Sequence, residues 1–231
     1  MKKLRGFEVA KGWENKGINI PERQTKNSAG YDFESAVDVI VPGRISIIET
    51  MLDSINDEIG RIGNLSKDMD ILDEIYKESV AITEELTNFE GLVAPTEFKH
   101  RIYKLMKSID EDSKLLDIID ESIKAMKPVL IPTGIKAYML DDEKLDLYNR
   151  SSNPGKHNLV LANGVGLVDS DYYENEDNDG HIMFSFINVG YYDHKISKGD
   201  RIGQGVFTKF LKIDNDDGVA RERTGGYGST K

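Results

Sequence analysis

The chain has 231 residues, 39% of them hydrophobic, which allows one large domain or two small ones with a sizeable core. It has no cysteine, which excludes disulfides and thiolate metal sites, and its four histidines (His100, His157, His181, His194) include no pair at helical metal-ligand spacing. A net charge of -11 argues against a general nucleic-acid or membrane-surface binder, since both need a basic face, but leaves room for a nucleotide held in a local positive pocket.

No apolar run approaches ~18 residues and Met1-Lys-Lys-Leu-Arg-Gly6 lacks an apolar signal core, so a soluble, cytoplasmic protein is expected. From Leu4 to Pro42 the chain reads as β and loop. Gly6–Val9 is strand-like, Pro21 keeps Asn19–Arg23 extended, and Val37–Val41 is a short β run closed by Pro42-Gly43. After Gly43 the period changes. Ile45, Ile48, Leu52, Ile55, Ile59 and Ile62 alternate steps of three and four, which predicts one helical stripe ended by Gly60 and Gly63-Asn64. Ser66 is a candidate N-cap for a second helix carrying Met69, Leu72, Tyr76, Ile82, Leu86 and Phe89. Pro95 opens a third, with Phe98, Ile102, Leu105, Ile109, Leu116, Ile119, Ile123 and Met126 on its stripe, and Pro128 stops it. Helices apolar on one face must bury that face on one another or on a partner, so this acidic stretch reads as an inserted three-helix bundle or long hairpin.

From Val129 the β character returns, with Val129–Ile131, Ile135–Met139, Lys144–Tyr148, Leu159–Leu161, His181–Ile187 and Val206–Phe207 as short strands between turns, the first two parted at Pro132-Thr-Gly134. Many short strands with frequent turns suggest a sandwich or jelly-roll barrel. The expected division is a β domain over 1–43 and 128–212, a helical module over 44–127, and a Gly-rich flexible arm over 213–231.

Within the β part, Asn163-Gly-Val-Gly-Leu-Val-Asp-Ser-Asp-Tyr172 delivers a carboxylate and an aromatic to a turn, which is how a pocket gains a base beside a flat wall. Taken alone it also describes an ordinary hairpin. With Ala29-Gly-Tyr-Asp-Phe33, Arg150-Ser-Ser152, Gly199-Asp-Arg-Ile-Gly-Gln204 and Gly225-Gly-Tyr-Gly-Ser-Thr230, it resembles the five-motif pattern of the trimeric dUTP pyrophosphatases (dUTPases), in family order and with no gap needed from Arg150 to Asn163. The resemblance implies a mainly β, distorted jelly-roll (β-clip) barrel interrupted by a helical module. It also implies an enzyme that hydrolyses dUTP to dUMP and pyrophosphate with Mg²⁺, limiting uracil in DNA and feeding dTMP synthesis. A homotrimer is implied, with sites at subunit interfaces and the tail supplied by a third chain.

The same resemblance gives the residues their roles. Asp169 matches the aspartate that orients and deprotonates the attacking water. Tyr172 matches the tyrosine under the deoxyribose, and Asn163 the amide that reads the uracil edge, with Gly164 and Gly166 letting backbone approach the base. Asp32 matches an aspartate near the Mg²⁺, acting through bound water together with the substrate phosphates. Arg150, Ser151 and Ser152 fit the phosphate-binding Arg-Ser-Gly with serine in place of glycine. Gln204 fits the phosphate-contacting glutamine, and Arg201 a structural ion-pair partner near the site. In the tail, Tyr227 would stack on uracil, while Gly228, Ser229 and Thr230 would meet phosphates. Arg223 is preferred over Arg221 as the tail arginine.

Two departures stand out. The turn after Tyr172 is lengthened by an acidic, Asn-rich stretch, Glu174–Asp179, expected to shape the pocket mouth without touching its chemistry. The helical insert is larger, and the resemblance covers about 1–43 and 128–231 only. The chain looks similar to phage or Gram-positive members, which places it in a bacterial or phage-infected cell. A dCTP deaminase shares the fold but needs a glutamate where this chain has Ser185. The other alternative is a nucleotide-binding regulatory protein that meets an unidentified protein partner through the insert.

Overall fold

The computed structural model describes residues 3–63 and 127–216, and between them 73–74, 76–78, 80–81, 114, 117–118, 121 and 124–125. The chain divides into two compact units, Met1–Val41 with Pro128–Ile187 and His194–Lys231, and Pro42–Lys127 with Asn188–Asp193.

The described part of the first unit is mainly β. Its strands are β1 (Gly6–Val9), β2 (Tyr31–Glu34), β3 (Val39–Val41), β4 (Val129–Tyr138), β5 (Glu143–Asn149), β6 (Leu159–Leu161), β7 (Gly166–Asp169), β8 (Ile182–Asn188), β9 (His194–Ile196) and β10 (Arg201–Lys209). They form two four-stranded sheets, ordered β1-β4-β8-β6 and β2-β10-β5-β7, plus the pair β3-β9. Because side chains alternate along a strand, each sheet turns one face inward. Ile131, Ile135, Phe184 and Phe186 come from the first sheet and Phe33, Leu145, Leu147, Val168 and Ile202 from the second into one buried cluster. Fully burying one such side chain contributes roughly 1.5–3 kcal/mol, so this core dominates the unit's stability. Gly203 marks how closely the sheets pack: a Cβ there would lie 2.0 Å from the Phe184 ring.

The sequence predicts a break at Pro132–Gly134, but β4 runs through it as one strand with a register shift between Pro132 and Ile135. Proline cannot donate to a ladder, and a bulge absorbs that loss without ending the strand. The freed groups find partners. The Thr133 hydroxyl donates to the Ile182 carbonyl at 2.7 Å, and the Gly134 amide donates to His181 Nε2 at 2.9 Å. His181 packs on Trp13 with ring centroids 5.1 Å apart. Burial holds its imidazole down at a pKa of about 4, neutral as an acceptor must be.

In the second unit α1 spans Arg44–Gly63, passing through Gly60 and ending at Gly63, the later of the two glycine stops the sequence offers. One glycine costs a helix only about 1 kcal/mol, which packing overrides. Among the described side chains of α1 the buried ones are Met51, Ile55 and Glu58; Ile55 lies on the predicted stripe, and Leu52 on that stripe is partly covered. Glu58 is buried because it is fully engaged: Arg61 binds it through two bonds at 2.7 and 2.8 Å, and the Lys114 amide donates at 2.9 Å. Those donors, Arg61 first, hold its pKa at about 2. Residues 73–74, 76–78, 80–81, 117–118, 121 and 124–125 are helical, while Ser66 and most of the two later predicted helices lie outside the described residues.

Candidate active site

Four of the five motifs lie on or beside the sheet β2-β10-β5-β7. Asp32 on β2 faces Gln204 on β10 in register, and Gln204 faces Tyr148 on β5. Register partners share a face, so Asp32, Gln204 and Tyr148 form one row on the outward side. Asp32 is buried and doubly engaged: Gln204 Nε2 donates to one oxygen at 2.7 Å and Arg201 donates to the other at 3.0 Å. Gln204 folds back over Gly30, where a Cβ would come within 3.2 Å of it.

Arg150 follows the end of β5, and its guanidinium donates to the Arg201 carbonyl at 2.8 Å. A guanidinium carries five N–H donors, so most remain for a ligand. Ser151 precedes a short helix α2 (Ser152–His157), and its hydroxyl makes no capping bond there. Asn153, buried on α2, donates to Asn149 Oδ1 at 2.7 Å and to the Ile202 carbonyl at 2.8 Å, which ties the Arg-Ser-Ser segment to both β5 and β10. A cleft of about 550 Å³ opens here, lined by Arg150, Arg201, Lys195, His157, His194 and Glu34 among others. The two imidazoles pack with centroids 4.6 Å apart and planes tilted by 45°, and burial first, then His157, keeps His194 below the ordinary histidine range. The lining sets three permanent cations and two imidazoles beside the carboxylates of Glu34 and Asp200, a positive balance that can hold an anion such as a polyphosphate.

The Asn163–Tyr172 segment stands apart from that cleft. Gly164 turns at φ +69 and leaves Asn163 exposed on the turn that carries the chain from β6 in one sheet to β7 in the other, not on a hairpin, while Gly166 begins β7 against Leu147. Asp169 ends β7 opposite Lys144. From Lys144 to Arg150 is six residues of strand, roughly 20 Å at about 3.3 Å per residue. Tyr172 follows in a single 3-10 turn, 7% exposed, with its ring in the core. One chain therefore brings together Asp32, Arg150, Arg201 and Gln204 but leaves Asp169 and Tyr172 at the far end of β5. The tail candidates Arg223, Tyr227, Gly228 and Ser229 lie outside the described residues.

A divalent cation has limited direct purchase on the protein here. Among the described residues no three His, Asp or Glu side chains are grouped to hold an ion. Both Asp32 oxygens already accept a bond, which fits a carboxylate reaching an ion through water.

The sequence singles out neither Asn153 nor the His157–His194 pair, and of the turn after Tyr172 it gives only a reshaped pocket mouth. That turn bonds directly to Tyr172: Asn178 Nδ2 donates to its hydroxyl at 2.8 Å. The extension therefore reaches Tyr172, one of the candidate site residues. Two asparagines three apart before a glycine are an Asx-turn signature that could have pointed to it.

Compared with known proteins, the family described as dUTPase matches residues 115–231, just over half of the chain. The deoxyuridine 5'-triphosphate nucleotidohydrolase of Lactococcus lactis subsp. lactis (strain IL1403) is 35% identical over 229 residues, covering 99% of this chain and 98% of the relative. That match runs through the helical insert as well as the β unit. The enzyme of the same name from Treponema denticola is 37% identical over 134 residues, 55% of this chain and 88% of its own length. Among solved structures, a dUTPase from Streptococcus mutans superposes with a TM-score of 0.53 at 26% identity, covering 90% of this chain and 98% of that one.

Proposed function

Because this chain belongs to the dUTPase family and is a dUTP diphosphatase, yielding dUMP and pyrophosphate, we propose that its site is assembled between copies of the chain. One copy would supply the phosphate cleft and another the base-and-sugar segment Asn163–Tyr172. The carrying observation is the division of the motifs: Arg150, Arg201, Gln204 and Asp32 are bonded into one cluster, while Asp169 pairs with Lys144 at the other end of β5. A triphosphate cannot bridge roughly 20 Å of strand within one chain. The outward face of the same sheet also carries exposed Tyr148, Val165 and Leu167, apolar surface suited to a second copy. A homotrimer is the assembly proposed, with Arg223, Tyr227, Gly228 and Ser229 of the tail closing over the substrate.

In this reading Asn163 reads the uracil edge beside Gly164 and Gly166, and the Tyr172 ring floors the deoxyribose. Arg150, Ser151, Ser152 and Gln204 hold the phosphates. Asp169 aligns a water and accepts its proton as the oxygen bonds to phosphorus and the pyrophosphate leaves. Arg150 offers its remaining donors to the charge that develops on the phosphate oxygens. Mg²⁺, bound through substrate phosphates and water with Asp32 nearby, would supply charge neutralisation. No described helix is long and apolar enough to cross a membrane, and a cytoplasmic setting accompanies a free-nucleotide substrate.

The test is pyrophosphate release with Mg²⁺ from dUTP, dCTP, dTTP and UTP by the native chain and Asp169→Asn. The expected result is turnover of dUTP alone, reduced at least ~10²-fold in the variant, as loss of a general base requires. Mixing Asp169→Asn with an Arg150→Ala chain should restore part of the activity, since mixed oligomers regain one intact site. An active monomer in gel filtration would overturn the shared site.

A further inference from the structure

The turn that lengthens the chain after Tyr172 is built against Tyr172 itself. Asn175 Oδ1 accepts the amides of Asp177 and Asn178, both at 3.1 Å, which closes an Asx turn. Asn175 Nδ2 donates to the Tyr172 carbonyl at 2.8 Å and to Asn178 Oδ1 at 2.9 Å. Asn178 Oδ1 also accepts the Gly180 amide at 3.1 Å. The turn returns so tightly at Gly180, φ +78, that a Cβ there would lie 2.6 Å from the Tyr172 carbonyl oxygen.

This leaves the Asn178 amide one direction to point, at the Tyr172 hydroxyl, to which Nδ2 donates at 2.8 Å. The hydroxyl in turn donates to the His181 carbonyl at 3.0 Å. The turn is itself fixed to the barrel: buried Lys136 on β4 binds Glu174 at 3.1 Å and Asp179 at 3.0 Å, and the Lys11 amide donates to Asp179 at 2.8 Å. Tyr172 is thus held at its carbonyl by Asn175 and at its hydroxyl by Asn178, with the ring fixed between them.

We infer that Asn178 is a positioning residue for sugar selection: it holds the Tyr172 ring flat and still as the wall that leaves no room for a 2′-hydroxyl. The inference rests on the reading of Tyr172 as the deoxyribose platform. A steric wall discriminates by one oxygen atom only if it cannot yield. A phenol tethered at both ends gives far less than one pinned by its backbone alone. The acidic residues of the extension serve the anchoring through Lys136, and its asparagines serve the aim.

The test measures kcat and KM for dUTP and for UTP in the full-length chain and in Asn178→Ala, Tyr172→Phe, the double variant and Tyr172→Ala. Asn178→Ala should cut the preference for dUTP over UTP by about 5–10-fold, the worth of one buried hydrogen bond, chiefly by admitting UTP. Tyr172→Phe, which removes only the anchored hydroxyl, should do the same, and the double variant should add nothing further. Tyr172→Ala should abolish the preference. If Tyr172→Ala abolishes it while Asn178→Ala and Tyr172→Phe keep it, the ring matters but its anchoring does not, and the inference falls. If Tyr172→Ala keeps the preference, the platform reading fails and takes the inference with it. Should Asn178→Ala not fold, Asn178→Ser, whose shorter side chain cannot reach the hydroxyl, takes its place, because Tyr172→Phe also removes the bond to the His181 carbonyl.

Discussion

The β unit and the helical insert solve burial in different ways. In the β unit two sheets close on one another, and large apolar side chains such as Phe33, Phe184 and Phe186 are wholly covered from both sides. Its buried polar groups include those bonded at the candidate site: Asp32 is held by Arg201 and Gln204, and Asn153 ties α2 to its strands. In the insert, α1 covers Met51 and Ile55, and the buried Glu58 works for packing, joining Arg61 and the Lys114 amide. Among the described residues the candidate chemistry lies entirely in the β unit. The insert carries polar bonds whose loss would be felt by its own helices. The contrast teaches that burial of charge marks a site only when the charges converge on a cleft.

The most severe way to sharpen this contrast is Phe184→Ala. It should cost ~3–5 kcal/mol, because the ring fills the space left by Gly203 and has no means of collapse. Chemical denaturation would read the loss, and turnover should fall with the folded fraction. Glu58→Ala strands the Lys114 amide and should cost the insert ~1–3 kcal/mol. Hydrogen exchange should show faster opening of α1 while kcat for dUTP holds. A fall in kcat equal to that of a β-core variant would break the contrast.

Acid should separate the units by pH window. Burial lowers the His181 pKa from 6.5 to about 4, so between those values the unfolded chain binds more protons than the folded one. The β unit's stability from this group is whole above pH 6.5 and declines as the pH falls to about 4. Glu58, lowered from 4.5 to about 2, gives the insert a later decline between those values. Denaturation midpoints against pH should show the first decline shrink in His181→Gln, whose amide oxygen can still accept from Gly134. The smallest expected effect is that of replacing residues 45–127 by a short linker. Turnover of dUTP should persist, and its loss would show that the insert completes the site.

Much was legible in the chain itself. Period-two runs, turn residues and the switch to a three-four spacing after Gly43 announce a β fold interrupted by helices, because hydrophobic periodicity records which face is buried. The five motifs, standing in family order, carry the resemblance that the comparisons with known proteins confirm. Other features were decided only in three dimensions. The bulge at Pro132 depends on Thr133, His181 and Ile182 meeting around it, residues some fifty positions apart in part. The burial of Glu58 on α1 depends on the Lys114 amide arriving from 56 positions away. The separation of Asp169 from Arg150 is set by the register of β5 against β7, which no local pattern carries. The anchoring of Tyr172 by Asn178 likewise appears only once the turn has folded back. Sequence fixes local preference and which side chains seek burial. Which polar groups meet is settled when distant segments arrive together, because a hydrogen bond needs both partners within about 3 Å.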